Sequence, residues 1–214
     1  MKKLLFGSFL ILAFLQDFSQ SFHLGALVID LNAGLEGYNV QYNYKLKNLG
    51  KTLDTTIRNG AINHNLALGV EVGLAKWFGL GLRGNANTFF TDVDKLTHNK
   101  PEVTSSELML MVNFHPVVRK HFDLVLGSDI GLSSLNFKTN DSLGTVIKGT
   151  GSYFDLYLNP RFYLGRFGFN VRAFVPFVNY GSLSSNNTLY NEYVVAKWKA
   201  NGFGMSVGIQ MKFF

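Results

Sequence analysis

Apolar and polar positions alternate with a period of two along most of the chain. Between Leu66 and Ala75, large apolar side chains at even positions alternate with small or polar ones at odd positions. The same alternation recurs within residues 78–90, 105–116, 122–134, 152–164, 167–180 and 202–213. A period of two is typical of β-strands with two different faces. No stretch after the N-terminal segment shows a sustained helical period, so the pattern predicts an all-β protein.

The first predicted strand, within residues 24–46, changes phase along its length. Its apolar side chains occupy odd positions up to Leu35 and even positions from Tyr38 onwards. A β-bulge at Glu36–Gly37 explains this change with one extra residue in a single long strand. A hairpin at the same place would raise the strand count. We favour the bulge.

The segments between the predicted strands alternate between long and short. Short segments lie at 76–78, 116–121 and 164–168, and long ones, rich in Asn, Ser, Thr, Gly and Lys, at 47–64, 91–104, 137–150 and 181–198. Barrels of the bacterial outer membrane have an even strand number, short periplasmic turns and longer external loops. The sequence therefore predicts a transmembrane antiparallel up-and-down β-barrel of about eight strands. It would have four long external loops, and both termini would lie on the periplasmic side.

The N-terminal segment predicts export. Two lysines precede an apolar stretch from Leu4 to Leu15, which is too short to span a bilayer and typical of a signal peptide. Ser19 and Ser21 fit a cleavage after Ser21. We therefore predict a signal peptide at 1–21 and a β-barrel domain at 22–214, with an uncleaved anchor as the alternative.

The composition of the two strand faces predicts which one meets lipid. One face carries large apolar side chains, and the other mixes Gly and Ala with charged residues. A soluble barrel would turn the apolar face inward, but glycine on a water-exposed strand weakens it without gain. Inside a narrow barrel, small residues make room for large polar ones. A Lys or Arg on the lipid face would cost roughly 2–4 kcal/mol at the midplane. We therefore place the apolar face outward.

This orientation predicts a polar network in the lumen. Its members would be Glu71, Arg83, Glu107, Asp129, Asp155, Arg161 and Arg172. Glu71 and Arg83 are expected to lie opposite each other across a hairpin. The network could be structural, which is the simpler interpretation, or it could form a gated polar path.

Aromatic residues are expected at both membrane interfaces. The predicted inner girdle comprises Trp77, Phe78, Phe114, Phe122, Phe162, Phe167 and Phe213, and the outer one Tyr42, Tyr44, Phe90, Phe154 and Phe177. Pro160 and Pro176 lie within predicted strands, where they remove ladder hydrogen bonds. They are therefore expected at bulges or strand ends.

The last residues of the chain carry a recognisable pattern. Ser206, Gly208, Met211 and Phe213 fit the order polar, Gly, apolar and aromatic at fixed spacing, and Phe214 follows. This tail is similar to the C-terminal β-signal by which the assembly machinery recognises outer-membrane barrels. With the predicted signal peptide and loop alternation, the mature chain resembles the small outer-membrane protein β-barrel domain family, with the porin-like architecture of OmpA- and OmpX-type barrels. The resemblance implies the fold and the cell outer membrane as location, but no activity.

Composition and charge narrow the function classes. The chain has 214 residues, 47% of them hydrophobic and 16% charged, with no Cys and a formal net charge of +6. A chain of this length is sufficient for one folded domain. Because it has no Cys, disulfides and thiolate metal sites are excluded. The basic balance suggests attraction to anionic lipid head groups, and no nucleic-acid partner is expected for an exported chain.

No catalytic, metal or cofactor site is predicted. His115 and His121 flank a short turn without evident metal-binding partners, so they are expected to be rim histidines. A lipid-modifying hydrolase would need Ser, His and an acid near the outer rim. His64 and His98 are the only histidines in the predicted long loops.

The segment that enters the last strand is a candidate lipid contact. Lys197, Trp198 and Lys199 could meet lipopolysaccharide phosphates, and a solvated loop end explains them equally well. Outer-membrane lipids, lipopolysaccharide and the assembly machinery are therefore the expected partners, with an external partner unknown. The preferred function is a non-enzymatic barrel acting through its surface loops in interaction or envelope integrity. Transport of small polar solutes or a hydrophobic ligand is the alternative, and a lipid-modifying barrel enzyme the third hypothesis.

Overall fold

Eight antiparallel strands form a closed barrel in the computed structural model, which describes residues 21–46, 53–93, 99–140 and 143–213. The strands are β1 (Leu27–Leu46), β2 (Leu53–Ala75), β3 (Phe78–Phe89), β4 (Glu102–Val118), β5 (Phe122–Lys138), β6 (Val146–Leu164), β7 (Phe167–Ser185) and β8 (Val194–Phe213). Each strand pairs with its neighbours in chain order, and β8 pairs with β1 to close the ring. The predicted eight-stranded up-and-down barrel is confirmed.

Strand β1 contains no bulge, so the predicted irregularity at Glu36–Gly37 is wrong. Its pairing is continuous with β2 and with β8, and Gly37 faces Ile62 on one side and Phe203 on the other. One strand, and not a hairpin, therefore covers this region. The phase change has a chemical cause, because the side chains that face the interior become apolar from Tyr38 outwards.

Real irregularities lie on other strands. Register shifts occur between Gly73 and Ala75, between Phe114 and Val117, and between Gly149 and Gly151. The two prolines lie inside their strands, contrary to the prediction of bulges or strand ends. The β6–β7 ladder is interrupted around Pro160 and the β7–β8 ladder around Pro176, and the register is unchanged on either side. The barrel thus tolerates each missing N–H donor as a local gap.

The outer connections are shorter than the sequence pattern predicts, because the strands continue into the predicted loops. Strand β2 begins at Leu53 and β7 ends at Ser185, both within ranges expected to be loops. A short helix of six residues, α1 (Thr188–Tyr193), lies between β7 and β8. Within the described residues, no helix has the length and apolar character needed to cross a bilayer.

The outward surface has two zones. The lower zone is an apolar belt of exposed side chains, among them Leu31, Leu66, Leu108, Ile130, Leu156, Val207 and Ile209. Above it lies a polar zone, which we call the outer collar and define by Asn39, Gln41, Asn43, Thr56, Arg58, Asn179, Lys197, Lys199 and Asn201. An apolar belt of this kind fits the hydrocarbon layer, and the collar fits water and lipid head groups.

Aromatic contacts border the belt at both edges. Near the inner turns, Trp77 contacts Phe114 and Phe162 stacks on Phe169, while near the collar Phe154 stacks on Phe177. Tyr42 and Tyr44 were expected in the outer girdle. Their register places them on the inward face of β1, and the Tyr42 hydroxyl lies 3.0 Å from that of Tyr190 in α1. Burial raises the pKa of the Tyr190 hydroxyl.

The segment before β1 closes the inner mouth of the barrel. We call residues 21–26 the inner plug. Ser21 is fully buried, its backbone N–H donates to the Arg119 carbonyl at 3.0 Å, and its hydroxyl donates to the Phe122 carbonyl at 3.1 Å. Residues 1–20 of the predicted signal peptide lie outside the described residues. The division at 21/22 stays a prediction, although Ser21 belongs to the packed part of the barrel.

Candidate functional site

The barrel interior contains three levels of polar side chains, beginning with an inner cluster of Glu71, His115, Asp123 and Arg161. His115 Nε2 lies 2.8 Å from Glu71 Oε1, and its Nδ1 lies 2.9 Å from Asp123 Oδ2. Arg161 donates from Nη1 to Glu71 Oε2 at 2.7 Å. All four side chains are at most 2% exposed. His115 is therefore a lumen residue held between two carboxylates, and the expectation of a rim histidine is wrong for it.

The inner plug seals this cluster from below. The fully buried Phe22 ring stacks on His115 with 3.7 Å between ring centroids. Gly79 allows this approach, because a Cβ there would lie 2.3 Å from Glu71 Oε1 and 3.0 Å from the Phe22 ring. The plug and the inner cluster therefore pack as one unit.

A middle cluster follows, made of Asp30, Arg83, Asp129, Asp155 and Arg172. Arg172 donates from Nη2 to Asp129 at 2.7 Å and to Asp155 at 2.8 Å. Arg83 lies 3.3 Å from both Asp30 and Asp129, so Asp129 bridges the two arginines. The Arg172 guanidinium also lies 3.8 Å from the centre of the Tyr157 ring, at cation–π distance. This level is a tightly linked set of charges.

An outer carboxylate cluster, Glu36 and Glu107, forms the third level, and amides and hydroxyls surround it. Glu107 accepts hydrogen bonds from Asn87 at 2.6 Å, Ser105 at 2.7 Å and Ser133 at 2.8 Å. Glu36 accepts hydrogen bonds from Asn63, Asn65 and Tyr38. Buried carboxylates need such donors to offset the loss of water.

The structure places all seven predicted network residues inside the barrel, each at most 5% exposed. Their pairing differs from the expectation. Glu71 lies opposite Gly81 and Arg83 opposite Gly69, so these two charges do not face each other. Four ionisable side chains of the network were not predicted, namely Asp30, Glu36, His115 and Asp123. The alternation places Asp30, His115 and Asp123 on the inward face. Glu36 was not assigned to that face, because a bulge was assumed at its position.

Above the polar levels, the interior becomes apolar. We call this region the outer chamber and define it by the buried cluster Tyr38, Val40, Val103, Met109, Leu135, Tyr153, Val178 and Tyr180, with Ala61, Phe89, Phe137, Leu183, Trp198 and Ala200 packed against it. A cavity of about 390 Å³ lies on the side of this cluster that faces β2, and Val40, Val103, Phe89 and Trp198 are among the side chains that line it. Ligand pockets of small molecules have volumes of roughly 300–1,000 Å³ and mostly apolar walls. Sequence reasoning missed the chamber, although the phase change at Tyr38 indicated it.

Trp198 lies in the outer chamber and does not face lipid. Its ring stacks on Tyr180 with 5.4 Å between ring centroids. Its indole N–H is buried without a hydrogen-bond partner among the described residues. A buried donor of this kind is costly unless an acceptor reaches it. Of the three candidate lipid-contact residues, only Lys197 and Lys199 point outward.

The wall of the chamber is incomplete beside the short strand β3. Strand β3 ends at Phe89, opposite Asn63, whereas β2 continues outward to Leu53. Residues 53–61 of β2 therefore pair with β1 on one side and with no described strand on the other. Ile57 and Asn59 have inward register but are exposed at this side opening.

The remaining predicted residues fall at separate places. In β8, Ser206 and Gly208 of the proposed assembly signal face the barrel interior, and Met211 and Phe213 face outward. Phe214 lies outside the described residues. Their role in assembly stays a prediction. For the enzyme hypothesis, His64 faces outward, where its ring lies 5.4 Å from Phe90. His98 lies outside the described residues.

Comparison with solved structures finds similar outer-membrane proteins, of which OprG has a TM-score above 0.5. The outer membrane protein OprG from Pseudomonas aeruginosa is 13% identical, with a TM-score of 0.58 over 89% of this chain and 97% of that chain. Neisserial surface protein A is 9% identical, with a TM-score of 0.48 over 88% and 99%. The outer membrane protease OmpT from Escherichia coli is 12% identical, with a TM-score of 0.46 over 87% and 97%. No protein-family model matches the chain, and no curated protein matches its sequence.

The fold, the apolar belt and the polar interior define the class of protein. The chain is a small eight-stranded transmembrane β-barrel of the outer-membrane type. The likeness to OprG shows the fold alone, because function at this level of identity resides in sites that differ between barrels.

Proposed function

We propose that this protein is a non-conducting, non-enzymatic outer-membrane barrel that acts at its outer end. The observation that supports this function is the filled lumen. Three polar levels and the inner plug follow one another along the barrel axis, and Arg83 and Arg161 are at most 1% exposed. Eight strands enclose a space just wide enough for side chains, so such a lumen leaves no continuous path for hydrated ions.

Single-channel recording in a planar bilayer tests the absence of conduction. Folded protein, identified by heat-modifiable migration on a gel, should insert and give no discrete current steps. Protein unfolded by heat in the same detergent is the control for leakage. Uniform, reproducible current steps from the folded sample would instead support transport of small polar solutes.

The surroundings of His115 argue against hydrolytic chemistry. A catalytic triad needs a nucleophile on one ring nitrogen of the histidine and an acid on the other. Both ring nitrogens of His115 lie beside carboxylates, and Phe22 covers the ring.

Mass spectra of lipid A test the remaining enzyme hypothesis. We expect cells that express the wild-type protein, His64→Ala or His98→Ala to give the same spectra as cells without the protein. A lipid A modification that only the wild-type protein produces would establish an enzyme.

The outer chamber favours a second candidate function, the binding of a small apolar ligand for storage or passage. Its walls are apolar, its side opening adjoins the collar, and the unpartnered Trp198 N–H could receive an acceptor on the ligand. The chain has two tryptophans, so Trp77→Phe leaves Trp198 as a single fluorescent reporter.

A titration in lipid nanodiscs tests this candidate. An apolar probe such as N-phenyl-1-naphthylamine should quench Trp198 in the Trp77→Phe background and saturate at one probe per barrel. Ala61→Trp, which fills the chamber, should abolish binding of the probe measured by its own fluorescence. Ala33→Trp, an addition of the same size on the lipid face, should leave it unchanged. Equal probe binding by both variants would exclude the chamber as the site.

Biogenesis is part of the proposal. Export through the N-terminal segment, and recognition of Ser206, Gly208, Met211, Phe213 and Phe214 by the assembly machinery, would bring the chain to the outer membrane. Replacing both terminal phenylalanines with Ala should lower the outer-membrane amount of the protein and raise its periplasmic degradation. Replacing Lys212 and Gln210 with Ala is the control, since neither position belongs to the predicted signal.

A further inference from the structure

On the outward surface of the collar, two cationic side chains flank a side-chain amide. Gln41 of β1 is directly opposite Arg58 of β2 on one side and Lys199 of β8 on the other. Directly opposed residues on one face have Cβ atoms about 5 Å apart, so the two cations flank Gln41 with roughly 10 Å between their Cβ atoms. Both cations are exposed and Gln41 is half-buried.

The neighbours of this row are cations and amides. Asn39 and Asn201 face each other one position closer to the belt, and Asn43 and Lys197 face each other one position further out. From Asn39 to Asn43 on β1, and at the positions that face these residues on β2 and β8, no outward residue is a carboxylate. A solvated strand surface usually mixes both signs of charge, whereas this one is suited to an anion.

A shallow cavity joins the row to the apolar belt. It has a volume of about 570 Å³, and its lining includes Arg58, Gln41 and Lys199 together with the aromatic pair Phe154 and Phe177. The site is therefore amphipathic in the direction of the barrel axis, polar and cationic above and aromatic below. That is the arrangement of a lipid, whose charged head group lies above its acyl chains.

We propose that this surface binds the phosphorylated head group of a glycolipid in the outer leaflet. The Arg58 guanidinium holds the phosphate through paired N–H donors, and Lys199 supplies a second positive charge. The side-chain amides of Gln41, Asn39 and Asn201 bind sugar hydroxyls. The acyl chains lie along Phe154 and Phe177. This site is on the outside of the barrel and is independent of the closed lumen and of the outer chamber.

Native mass spectrometry of the detergent-purified barrel with added lipid A tests the proposal. The wild-type protein should retain diphosphorylated lipid A at a defined stoichiometry and retain the dephosphorylated form at least tenfold less. The double variant Arg58→Gln, Lys199→Gln should lower retention of the diphosphorylated form at least tenfold. Inorganic phosphate at millimolar concentration should not displace the lipid, because it lacks the sugar and acyl contacts.

A matched double variant controls for the loss of charge. Lys138→Gln with Lys148→Gln removes two positive charges from the outer parts of β5 and β6, away from the site, and should retain lipid A as the wild type does. All four replaced side chains lie at the exterior, and heat-modifiable migration verifies folding of both variants. Equal retention by the wild type and both variants would overturn the proposal. Displacement by inorganic phosphate alone would also overturn it, because the site would then be an anion site without lipid specificity.

Discussion

Glu71 contacts two side chains inside the lumen, His115 and the positively charged Arg161. Removing one member of a buried charge pair leaves the others uncompensated and costs about 3–5 kcal/mol. We therefore expect Glu71→Gln to lower the free energy of unfolding by about that amount. Urea titration in lipid vesicles, followed by heat-modifiable migration, measures this change.

An exposed pair provides the comparison. Glu102 and Lys138 lie 3.2 Å apart with both side chains more than two fifths exposed. Exposed pairs contribute about 0–1 kcal/mol, so Glu102→Gln should change stability by no more than about 1 kcal/mol. Equal effects of the two Glu→Gln substitutions would show that the Glu71 side chain is hydrated in the folded barrel.

Gly127 makes room for an aromatic ring in the interior. A Cβ at this position would lie 2.3 Å from the Tyr157 ring and 2.5 Å from Asn113 Oδ1. Gly127→Ala should therefore destabilise the barrel by about 1–3 kcal/mol, the usual cost of overpacking. Gly37→Ala is the matched control, because a Cβ there meets nothing within 4 Å. The same urea titration compares them, and a neutral Gly127→Ala would mean that Tyr157 adopts another position.

Alternation along the sequence predicts which residues face the interior but not how they pair. Arg83, Arg161 and Arg172 fall on the inward face by period alone. Their partners come from other strands, at a relative height that depends on strand tilt and register. The expected facing of Glu71 and Arg83 failed because the pairing is offset by two residues. Pairing of Ala75 with Phe78 at the turn accounts for one residue, and the register shift at Gly73/Ala75 accounts for the other.

Strand β1 crosses from lipid into water while one set of side chains keeps facing outward. Leu31 and Gln41 lie on the same outward face, Leu31 in the belt and Gln41 in the collar. Leu31→Arg should cost roughly 2–4 kcal/mol, as for a cation near the midplane. Gln41→Arg should change stability by less than about 1 kcal/mol, because surface substitutions usually do. Vesicle urea titration measures both, and equal costs would contradict the boundary between belt and collar.

The inner plug packs against the inner cluster, and Phe22 is its largest buried side chain. Phe22→Ala removes the ring that stacks on His115 and should cost about 3–5 kcal/mol if the site does not collapse. Hydrogen exchange should also become faster at the Gly73 amide, which donates to Ala26. His23→Ala, in the same segment but half-buried, is the control. Unchanged exchange in Phe22→Ala would show that the plug is held by its backbone alone.

Strand β1 also shows why the sequence pattern did not predict every element correctly. A bulge and a change of environment both shift the apolar phase by one residue, and local periodicity does not separate them. Because β1 pairs continuously on both sides, the change of environment, and not a bulge, explains the phase change. The outer ends of the strands were also predicted too close to the membrane. The Asn-, Ser- and Lys-rich stretches that were expected to be loops belong to strands that extend beyond the membrane into water.

Closure of the barrel depends on the β1–β8 seam, where the two ends of the chain meet. Ala33 is directly opposite Val207, and facing antiparallel residues have Cα atoms within disulfide range. The protein has no native Cys. Ala33→Cys with Val207→Cys should therefore cross-link on mild oxidation, giving altered migration after boiling that reduction reverses. Ala33→Cys with Leu126→Cys, across the barrel, should not cross-link within one molecule. Failure of the first pair would contradict closure in this register.

The buried start of the inner plug affects how the protein can be handled in the laboratory. The backbone N–H of Ser21 is bound to the Arg119 carbonyl beside the β4–β5 turn. An affinity tag placed at the predicted cleavage point, between Ser21 and Phe22, would therefore begin among fully buried side chains and be hidden from a resin. A flexible spacer would carry the tag clear of that turn, which makes the choice of fusion point a practical requirement for purification.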